Sequence, residues 1–174
     1  LRDVAETAMW AERLGGTSLM PGHVRLARHG RIEALPGFED GAWWVQDLAA
    51  SLPARLLAPK PGESVADLCA APGGKTLQLA AAGARVTALD ISENRIARVR
   101  ENLARTGLSA EVVAGDALKW KPPAPLDALL LDAPCSGTGI FRRHPDVLHL
   151  KSARQIGELV RMQAALMDHA FAML

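Results

Sequence analysis

Two short segments of the chain carry residue types that could take part in chemistry. Residues 67–76 read DLCAAPGGKT, a glycine-rich segment that ends with a lysine and a threonine, and residues 132–139 read DAPCSGTG. The two cysteines of the chain, Cys69 and Cys135, fall one in each segment. No second Cys or His lies beside either one at the spacing of a metal site, so we expect no structural zinc, and each thiol could be either inert or reactive.

The glycine-rich segment ends like a phosphate-binding loop but lacks part of that pattern. ATP and GTP sites use G-x-x-x-x-G-K-[ST], in which the first glycine lets the backbone wrap around the phosphates. Counting back from Gly74 and Lys75, this glycine would fall at position 69, which is a cysteine, and Pro72 removes an amide donor. The segment therefore disfavours a triphosphate. Asp132 could still hold magnesium in an NTPase, and that alternative stays open.

From residue 62 onwards the sequence alternates between short apolar runs and helical patterns. These patterns predict strands at 64–70, 85–90, 110–116 and 126–135, and helices at 77–83, 91–107 and 152–174. Near-continuous apolar runs are typical of strands covered on both faces. We therefore predict an α/β fold with a parallel, doubly wound sheet. The last helix is amphipathic, and its apolar stripe comprises Ile156, Leu159, Val160, Leu166, Met167, Ala170, Phe171 and Leu174.

The region before residue 59 carries different patterns. Residues 22–35, GHVRLARHGRIEAL, predict a two-stranded hairpin that turns at His29 and Gly30. Residues 43–57 have helical apolar spacing and predict a helix that Pro53 bends or divides. We therefore expect a small leading segment in front of the sheet.

In an open parallel sheet a ligand binds beyond the carboxyl ends of the strands. Here one end carries the glycine-rich turn, and the other three carry an acid, namely Asp90, Asp116 and Asp132. The G-x-G-x-x-G spacing of dinucleotide sites is absent. The three acids suit a ribose, an adenine amino group and a cationic tail, which predicts S-adenosylmethionine with Asp90 at the ribose and Asp116 near the adenine. Acids in these positions could instead only cap loops or helices.

Four segments together resemble the Nop/Sun-type RNA cytosine-C5 methyltransferases, in particular the bacterial branch that modifies small-subunit ribosomal RNA: DLCAAPGGKT, ALDISENRIARVRENLARTG, GDA and LLLDAPCSGTGIFRRHPD. The resemblance runs from about Leu35 to the last helix. It implies a Rossmann-like class I methyltransferase domain over residues 59–174, preceded by an N-terminal subdomain over residues 1–58. It also implies S-adenosylmethionine as the cofactor, with contacts on Cys69, Ala70, Ala71, Pro72, Gly73, Gly74, Lys75, Asp90, Asp116 and Asp132.

The resemblance further implies how a thiol takes part. Carbon 5 of cytosine is a poor nucleophile until a cysteine thiolate adds to carbon 6. In the family a Thr-Cys-Ser cysteine on a later strand makes this attack, and the cysteine matched by Cys135 assists release of the product. Asp132 could hydrogen-bond the cytosine and help to place Cys135. In DNA cytosine methyltransferases, the alternative class, Cys135 would itself be the nucleophile.

The chain contains no Thr-Cys-Ser sequence. We therefore expect a truncated fragment, without the last strands of the fold, that binds the cofactor but cannot form the covalent RNA adduct. The strand that ends in Asp132 would then have a bare edge, through which the fragment could self-associate.

RNA is the expected partner, with ribosomal RNA preferred, transfer RNA as the alternative, and a catalytically silent RNA-binding module as a third possibility. Two basic clusters are candidate phosphate contacts: Arg25, Arg28, His29 and Arg31, and then Arg142, Arg143 and His144. The net charge of +1 gives no indication by itself. Because the sequence lacks a long apolar run and an export signal, we expect a cytoplasmic protein that spans no membrane.

Overall fold

The computed structural model describes residues 1–27, 30–140, 144–150 and 152–174. The first elements along the chain are helix α1 (Thr7–Arg13), strands β1 (Thr17–Met20) and β2 (His23–Arg25), and helix α2 (Leu48–Leu57). Short 3-10 turns lie at Val4–Glu6 and Ile32–Ala34. The residues before α2 bury a small core of their own around Trp10 and Trp43.

The hairpin lies one strand earlier in the chain than predicted. Strand β1 pairs with β2 in antiparallel fashion, and the turn between them contains Gly22, whose φ of +76° favours glycine. The predicted second strand is instead a 3-10 turn, in which Ile32 packs against the tryptophan core. The hairpin was therefore predicted at the wrong place in the chain. The predicted turn at His29 lies outside the described residues.

Helix α2 begins five residues later than predicted. The carboxylate of Asp47 accepts a hydrogen bond from the amide of Ala49 at 2.9 Å and thereby caps the first turn. Trp43 and Trp44 come before this cap, so they are not helical. The helix then runs through Pro53 without a break, so the expected division did not occur.

Four parallel strands form the central sheet: β3 (Ser64–Leu68), β4 (Arg85–Asp90), β5 (Glu111–Ala114) and β6 (Ala128–Leu131). Their order is β5-β4-β3-β6. Leu68 pairs with Leu89 of β4 on one side and with Leu131 of β6 on the other. The predicted parallel α/β sheet is confirmed, and the four carboxyl ends meet along one edge.

Helices cover both faces of this sheet, as a doubly wound fold requires. Helix α2, α3 (Gly74–Ala81) and α4 (Glu93–Thr106) pack on one face, whereas α6 (Ala153–Phe171) packs on the other; α5 (Val147–Leu150) is a single turn. No helix among the described residues combines the length and apolar character that a bilayer crossing needs.

Helix α4 joins the leading segment to the sheet. The Arg105 guanidinium donates hydrogen bonds to the carbonyls of Phe38 and Trp43, at 2.7 and 3.0 Å. It also lies 4.0 Å above the ring of Phe38. The division of the chain into residues 1–58 and 59–174 stays a prediction.

Helix α6 buries less of its apolar stripe than predicted. Leu166 and Ala170 are buried against the sheet, together with Met173 just beyond the helix, but five residues of the stripe are exposed: Ile156, Val160, Met167, Phe171 and Leu174. The reason is that β6 is the last strand on this side of the sheet, so no further strand among the described residues lies against the outer face of α6. Self-association through this edge stays a prediction.

Candidate functional site

The register of the sheet brings the predicted site residues into one row. Cys69, Asp90 and Asp132 each lie at or one residue beyond the end of their strand, and Asp90 pairs with Ala114 of β5. Because neighbouring strands are about 4.8 Å apart, Asp90 and Asp132 lie roughly 10 Å apart, on either side of Cys69. One small ligand can therefore contact several strand ends at once.

The turn between β3 and α3 has a backbone that few side chains tolerate. Gly73 has a φ of +105°, and a Cβ added to it would lie 3.3 Å from Val99 of α4. The conformation therefore favours glycine there, and a Cβ would also crowd the Val99 side chain. Cys69 also has a positive φ, of +64°, although it carries a side chain. The turn is thus held in one shape against α4.

Asp90 holds this turn from the neighbouring strand. Its carboxylate is buried and accepts hydrogen bonds from the amides of Ala71 and Ser92, at 3.1 and 3.0 Å. The guanidinium of Arg95 lies 3.4 Å from the same carboxylate and also donates to the carbonyl of Ala71 at 2.7 Å. A carboxylate has about four acceptor sites, so capacity for a further donor remains. The predicted contact with a ribose stays a prediction.

Asp116 follows β5 and is half-buried. One of its oxygens accepts a hydrogen bond from the amide of Leu118 at 3.0 Å, and the other lies 3.4 Å from the Lys119 ammonium. The residue before it is tied to β4, since the amide of Gly115 donates to the carbonyl of Asp90 at 3.0 Å. Asp116 therefore caps its own turn beside Asp90, and its contact with adenine stays a prediction.

Lys75 and Asp132 form an ion pair across the mouth of the sheet. The Lys75 ammonium donates to the Asp132 carboxylate at 2.5 Å, and the two side chains are 15% and 58% exposed. Lys75 lies in the first turn of α3, and Asp132 directly follows β6. The pair spans two elements and is open to solvent on the Asp132 side. A ligand that offers another hydrogen-bonding partner can therefore exchange with it.

The two cysteines lie in different surroundings. Burial and nearby carboxylates, above all that of Asp90, raise the pKa of the Cys69 thiol to about 11, so Cys69 stays protonated at neutral pH. Cys135 is exposed, in the segment that follows Asp132. That segment is tied to α6, because the amide of Gln163 donates to the carbonyl of Pro134 at 2.7 Å. Of the two thiols, Cys135 is the more exposed.

Two cavities lie near these residues. The larger, of about 1190 Å³, lies between the leading segment and α2 and contains none of the predicted site residues. The second, of about 510 Å³, is lined by the turn from Cys69 to Pro72, by Gly74, Lys75 and Asp132, and by Trp44 and Gln46 on its far side. Its volume suits a small ligand. We take the second cavity as the candidate site, although Asp90, Asp116 and Cys135 lie outside its lining.

Comparison with known protein families agrees with this arrangement. Residues 54–174 match the sequence profile of the family described as 16S rRNA methyltransferase RsmB/F. The chain belongs to the RsmB/F family. Like the resemblance drawn from its motifs, this places the glycine turn and the DAPC segment within one methyltransferase family.

Individual relatives support the same assignment of this RsmB/F chain. It is 46% identical over 156 residues to the ribosomal RNA small subunit methyltransferase B of Citrobacter koseri, and 47% identical over 153 residues to that of Escherichia coli. These matches cover 87% and 85% of the chain but 36% of each relative, so the chain spans about a third of their length.

Solved structures share the fold of this RsmB/F chain. A methyltransferase homolog from Pyrococcus horikoshii matches with a TM-score of 0.82 and 28% identity, over 99% of this chain and 57% of that one. NSun6 from Pyrococcus horikoshii, solved with SFG, matches with a TM-score of 0.76 and 29% identity, over 91% of this chain and 46% of that one. The expected Rossmann-like methyltransferase fold is confirmed.

Sequence reasoning missed several residues that line the candidate site or lie beside it. Asp67 and Thr76 form a fully buried hydrogen bond of 2.6 Å beneath the glycine turn. On the far wall, Gln46 accepts from the indole of Trp44 at 2.9 Å and donates to Gln78 at 2.9 Å. One signal was available, since Asp67 is an acid inside an otherwise apolar strand. The wall from Trp44 to Gln46 carried no local signal, because it approaches the turn only in the folded chain.

The predicted basic clusters are only partly described in the structure. Arg25, Arg31 and His144 are exposed. Arg28, His29, Arg142 and Arg143 lie outside the described residues. Within the described ranges, no group of three or more His, Cys, Asp or Glu side chains is placed to hold a metal ion.

Proposed function

We propose that this chain is the cofactor-binding part of an enzyme that transfers a methyl group from S-adenosylmethionine to carbon 5 of a cytosine in small-subunit ribosomal RNA, in the cytoplasm. Membership of the RsmB/F family supports methyl transfer to ribosomal RNA. The observation that carries the proposal is the row of strand ends: the glycine turn, the buried Asp90 and the exchangeable Lys75–Asp132 pair border one cavity or lie beside it.

The residues present fit S-adenosylmethionine. Asp90 retains acceptor capacity for the ribose hydroxyls, and Asp116 lies on the next strand for the adenine amino group. Ile91, which directly follows Asp90, is 73% exposed and offers an apolar surface for one face of the adenine ring. The turn from Cys69 to Lys75 lets its backbone approach the methionine portion. When bound, this cofactor supplies an electrophilic methyl group.

The groups beside the cavity then act on the cytosine. Asp132 is the proposed acceptor for the cytosine amino group, which would replace Lys75 as its partner. Cys135 lies three residues further on, exposed, and is the proposed thiol that assists release of the product. Cys69 is not proposed as the attacking thiol, because burial and the Asp90 carboxylate raise its pKa to about 11. The nucleophile that the family resemblance calls for is not among the 174 residues.

Ligand binding tests the cofactor part of this proposal. We expect calorimetry to detect S-adenosylhomocysteine binding to the chain and to detect no ATP binding. Asp90→Asn should weaken S-adenosylhomocysteine at least about tenfold by removing a charged acceptor. Binding of ATP with no binding of S-adenosylhomocysteine would favour the NTPase alternative and contradict the proposal.

Adduct trapping tests the role of Cys135. The chain is incubated with S-adenosylmethionine and an RNA that contains 5-fluorocytosine, which blocks release of a covalent adduct. We expect no adduct, since Cys135 is proposed to act in release. An adduct that Cys135→Ser abolishes would instead identify Cys135 as the nucleophile, as in DNA cytosine methyltransferases.

Phosphate contact by the exposed basic residues is part of the same proposal. We expect Arg25→Glu and Arg31→Glu to weaken RNA binding and to lower its dependence on salt concentration. The reason is that a protein with fewer phosphate contacts releases fewer counterions from the RNA when it binds. Filter binding at several salt concentrations measures both effects. Unchanged affinity with an unchanged salt slope would contradict this contact.

A further inference from the structure

The larger cavity, of about 1190 Å³, is lined by polar side chains that the described chain leaves partly unsatisfied. His23 and Arg55 both belong to its lining. The Nδ1 atom of His23 and the Nε atom of Arg55 are buried, and neither has a hydrogen-bond partner among the described residues. Buried polar atoms are nearly always paired in folded proteins, so two unpaired nitrogens in the lining of one cavity call for an explanation.

The two side chains lie on elements that face each other across the cavity. His23 begins β2, and Arg55 lies in the last turn of α2. The guanidinium of Arg55 donates a hydrogen bond from Nη2 to the carbonyl of Pro21 at 2.5 Å, in the turn just before His23. A Cβ added to Gly22 would lie 3.0 Å from the same Nη2. The guanidinium is therefore held close to the residues that lead into His23.

The charge of a missing partner follows from the lining of the cavity. Its described lining contains three arginines, Arg2, Arg25 and Arg55, and two acids, Asp3 and Asp47. Each acid caps a helical turn by accepting a hydrogen bond from the amide two residues later. Neither Arg25 nor Arg55 forms an ion pair within the described residues. Because a guanidinium can only donate, the missing partner is an acceptor, and the excess of positive charge favours an anion.

The position of the cavity indicates which anion it binds. Residues 44–47 line this cavity and also line the candidate site of about 510 Å³, so they form a wall that the two cavities share. A polymer that occupies the candidate site reaches the larger cavity by crossing this short wall. An RNA strand carries a phosphate at each nucleotide, and the planar guanidinium fork matches the geometry of a phosphate. Arg25 is exposed and extends the positive charge to the surface.

We propose that Arg55 and His23 bind one phosphate group of the substrate RNA in the larger cavity, and that the strand crosses the wall at residues 44–47 to reach the candidate site. This inference rests on the proposed function, which makes RNA the substrate. Each side chain is partly exposed, so a change of rotamer turns its unpaired nitrogen toward the phosphate without loss of a hydrogen bond at that nitrogen. Such a contact positions the strand and reads no base.

The protonation of His23 makes this contact measurable. Burial lowers the pKa of the His23 ring. Three positive charges lower this pKa further and the Asp47 carboxylate raises it; the charges belong to the Leu1 amino group, Arg55 and Arg25. A phosphate beside Arg55 offsets the positive charge and favours the protonated ring, so RNA binding raises the pKa of His23.

Salt titration separates a phosphate contact from a purely structural role of Arg55. The probe is a short single-stranded RNA. We expect Arg55→Gln to weaken its binding about tenfold at low salt. The slope of log K against log salt concentration should become shallower by about 0.7, the value of one phosphate contact on a single strand. Arg55→Lys keeps the charge and should keep the parent slope, and Arg98→Gln, at a 72% exposed arginine of α4, is the matched control that should change neither quantity.

A second measurement leaves Arg55 in place and covers the case in which Arg55→Gln does not fold. Proton NMR follows the histidine ring signals through a pH titration with and without the RNA, and His23→Gln identifies the signal of His23. We expect the RNA to raise the pKa of His23 by about one unit. The ring of His169 contacts the Trp120 carbonyl at 3.0 Å on the other face of the sheet, so its signal should be the same with and without RNA.

Three results would overturn the inference while leaving the proposed function intact. One is equal weakening in Arg55→Gln and Arg55→Lys at an unchanged salt slope, which would make Arg55 only a support for the turn at Pro21. Another is a His23 titration that the RNA does not alter. The third is an equal shift of His23 by inorganic phosphate at the same concentration, which would identify a free anion as the ligand.

Failure of the proposed function gives a different result. If the unsubstituted chain binds no RNA, the proposed RNA substrate fails and this inference fails with it. Binding of S-adenosylhomocysteine tests the cofactor part of the proposed function independently, and Arg55→Gln should leave that affinity unchanged because Arg55 does not line the candidate site.

Discussion

The turn after β3 and the segment after β6 occupy equivalent places at the ends of two paired strands, yet they are built differently. At the turn after β3, polar groups of the chain pair with one another. The Asp90 side chain, which is 1% exposed, accepts hydrogen bonds from two backbone amides and lies beside Arg95. In the second, Asp132 is 58% exposed with Lys75 as its side-chain partner, and Cys135 is exposed.

The difference teaches that an acid at a strand end can serve two purposes. A buried acid whose partners are backbone amides shapes the turn, and a ligand can only share it. An exposed acid can leave its ion-pair partner at a small cost in free energy. It therefore suits a residue that must change hydrogen-bonding partners during a reaction. Burial, and not position along the strand, separates Asp90 from Asp132.

The largest effect should separate these two acids directly. We expect Asp90→Asn to lower the free energy of unfolding by about 3 kcal/mol, because the buried carboxylate that accepts from the Ala71 and Ser92 amides is lost and one of these amides is left incompletely paired. Asp132→Asn should lower it by less than about 1 kcal/mol, since the Asp132 side chain is 58% exposed and the asparagine oxygen can still accept from Lys75. Urea unfolding measures both, and similar losses would remove the distinction.

The cysteines extend the comparison to reactivity. We expect iodoacetamide at pH 7.5 to modify Cys135 first and Cys69 about 100-fold more slowly than a thiol of ordinary pKa, because raising its pKa from 9.0 to about 11 removes most of the thiolate. Mass spectrometry of timed samples checks this order. Modification of Cys69 ahead of Cys135 would show that the turn is open in solution.

The buried hydroxyl beneath the turn should matter more than an exposed one. We expect Thr76→Val to lower the free energy of unfolding by about 2 kcal/mol, because it leaves the buried carboxyl of Asp67 without its donor. Thr87→Val is the matched control: its hydroxyl donates to Glu111 at 3.2 Å in an exposed position, so we expect a change within about 0.5 kcal/mol. Denaturant titration of both variants tests the contrast.

The smallest effect concerns pH. Asp67 has a pKa of about 7 in the folded chain and an ordinary value of 3.8 when unfolded, so between these values only the folded state holds the proton. The contribution of Asp67 to stability should therefore fall as pH rises, by about 1 kcal/mol between pH 6 and pH 7.5, whereas the Leu1 ammonium, whose pKa burial lowers to about 6, contributes in the opposite direction. Asp67→Asn should remove this decrease. Melting temperatures across the range measure it, and an unchanged slope in the variant would contradict the assignment.

Local signals predicted the central elements well. The strand at 85–90 was predicted with its ends, and the helix predicted at 91–107 lies within two residues of α4, because Ser92 and Gly107 are strong capping residues at its two ends. These local signals failed where the sequence offered more than one possible turn or helix cap. The hairpin moved to the turn at Gly22, and α2 began at the cap provided by Asp47, since spacing alone does not rank alternative turns and caps.

From residue 62 onwards, the sequence by itself determined the order of strands and helices, the parallel sheet and the set of residues at its carboxyl edge, because periodicity, caps and glycines act over a few residues. Only the tertiary structure decided which of those residues are buried, which exchange partners, and that Asp67 has a free oxygen in the cavity. Those properties depend on contacts between segments far apart in the chain, such as Trp44 and Gln46 facing the turn, and no local pattern encodes them.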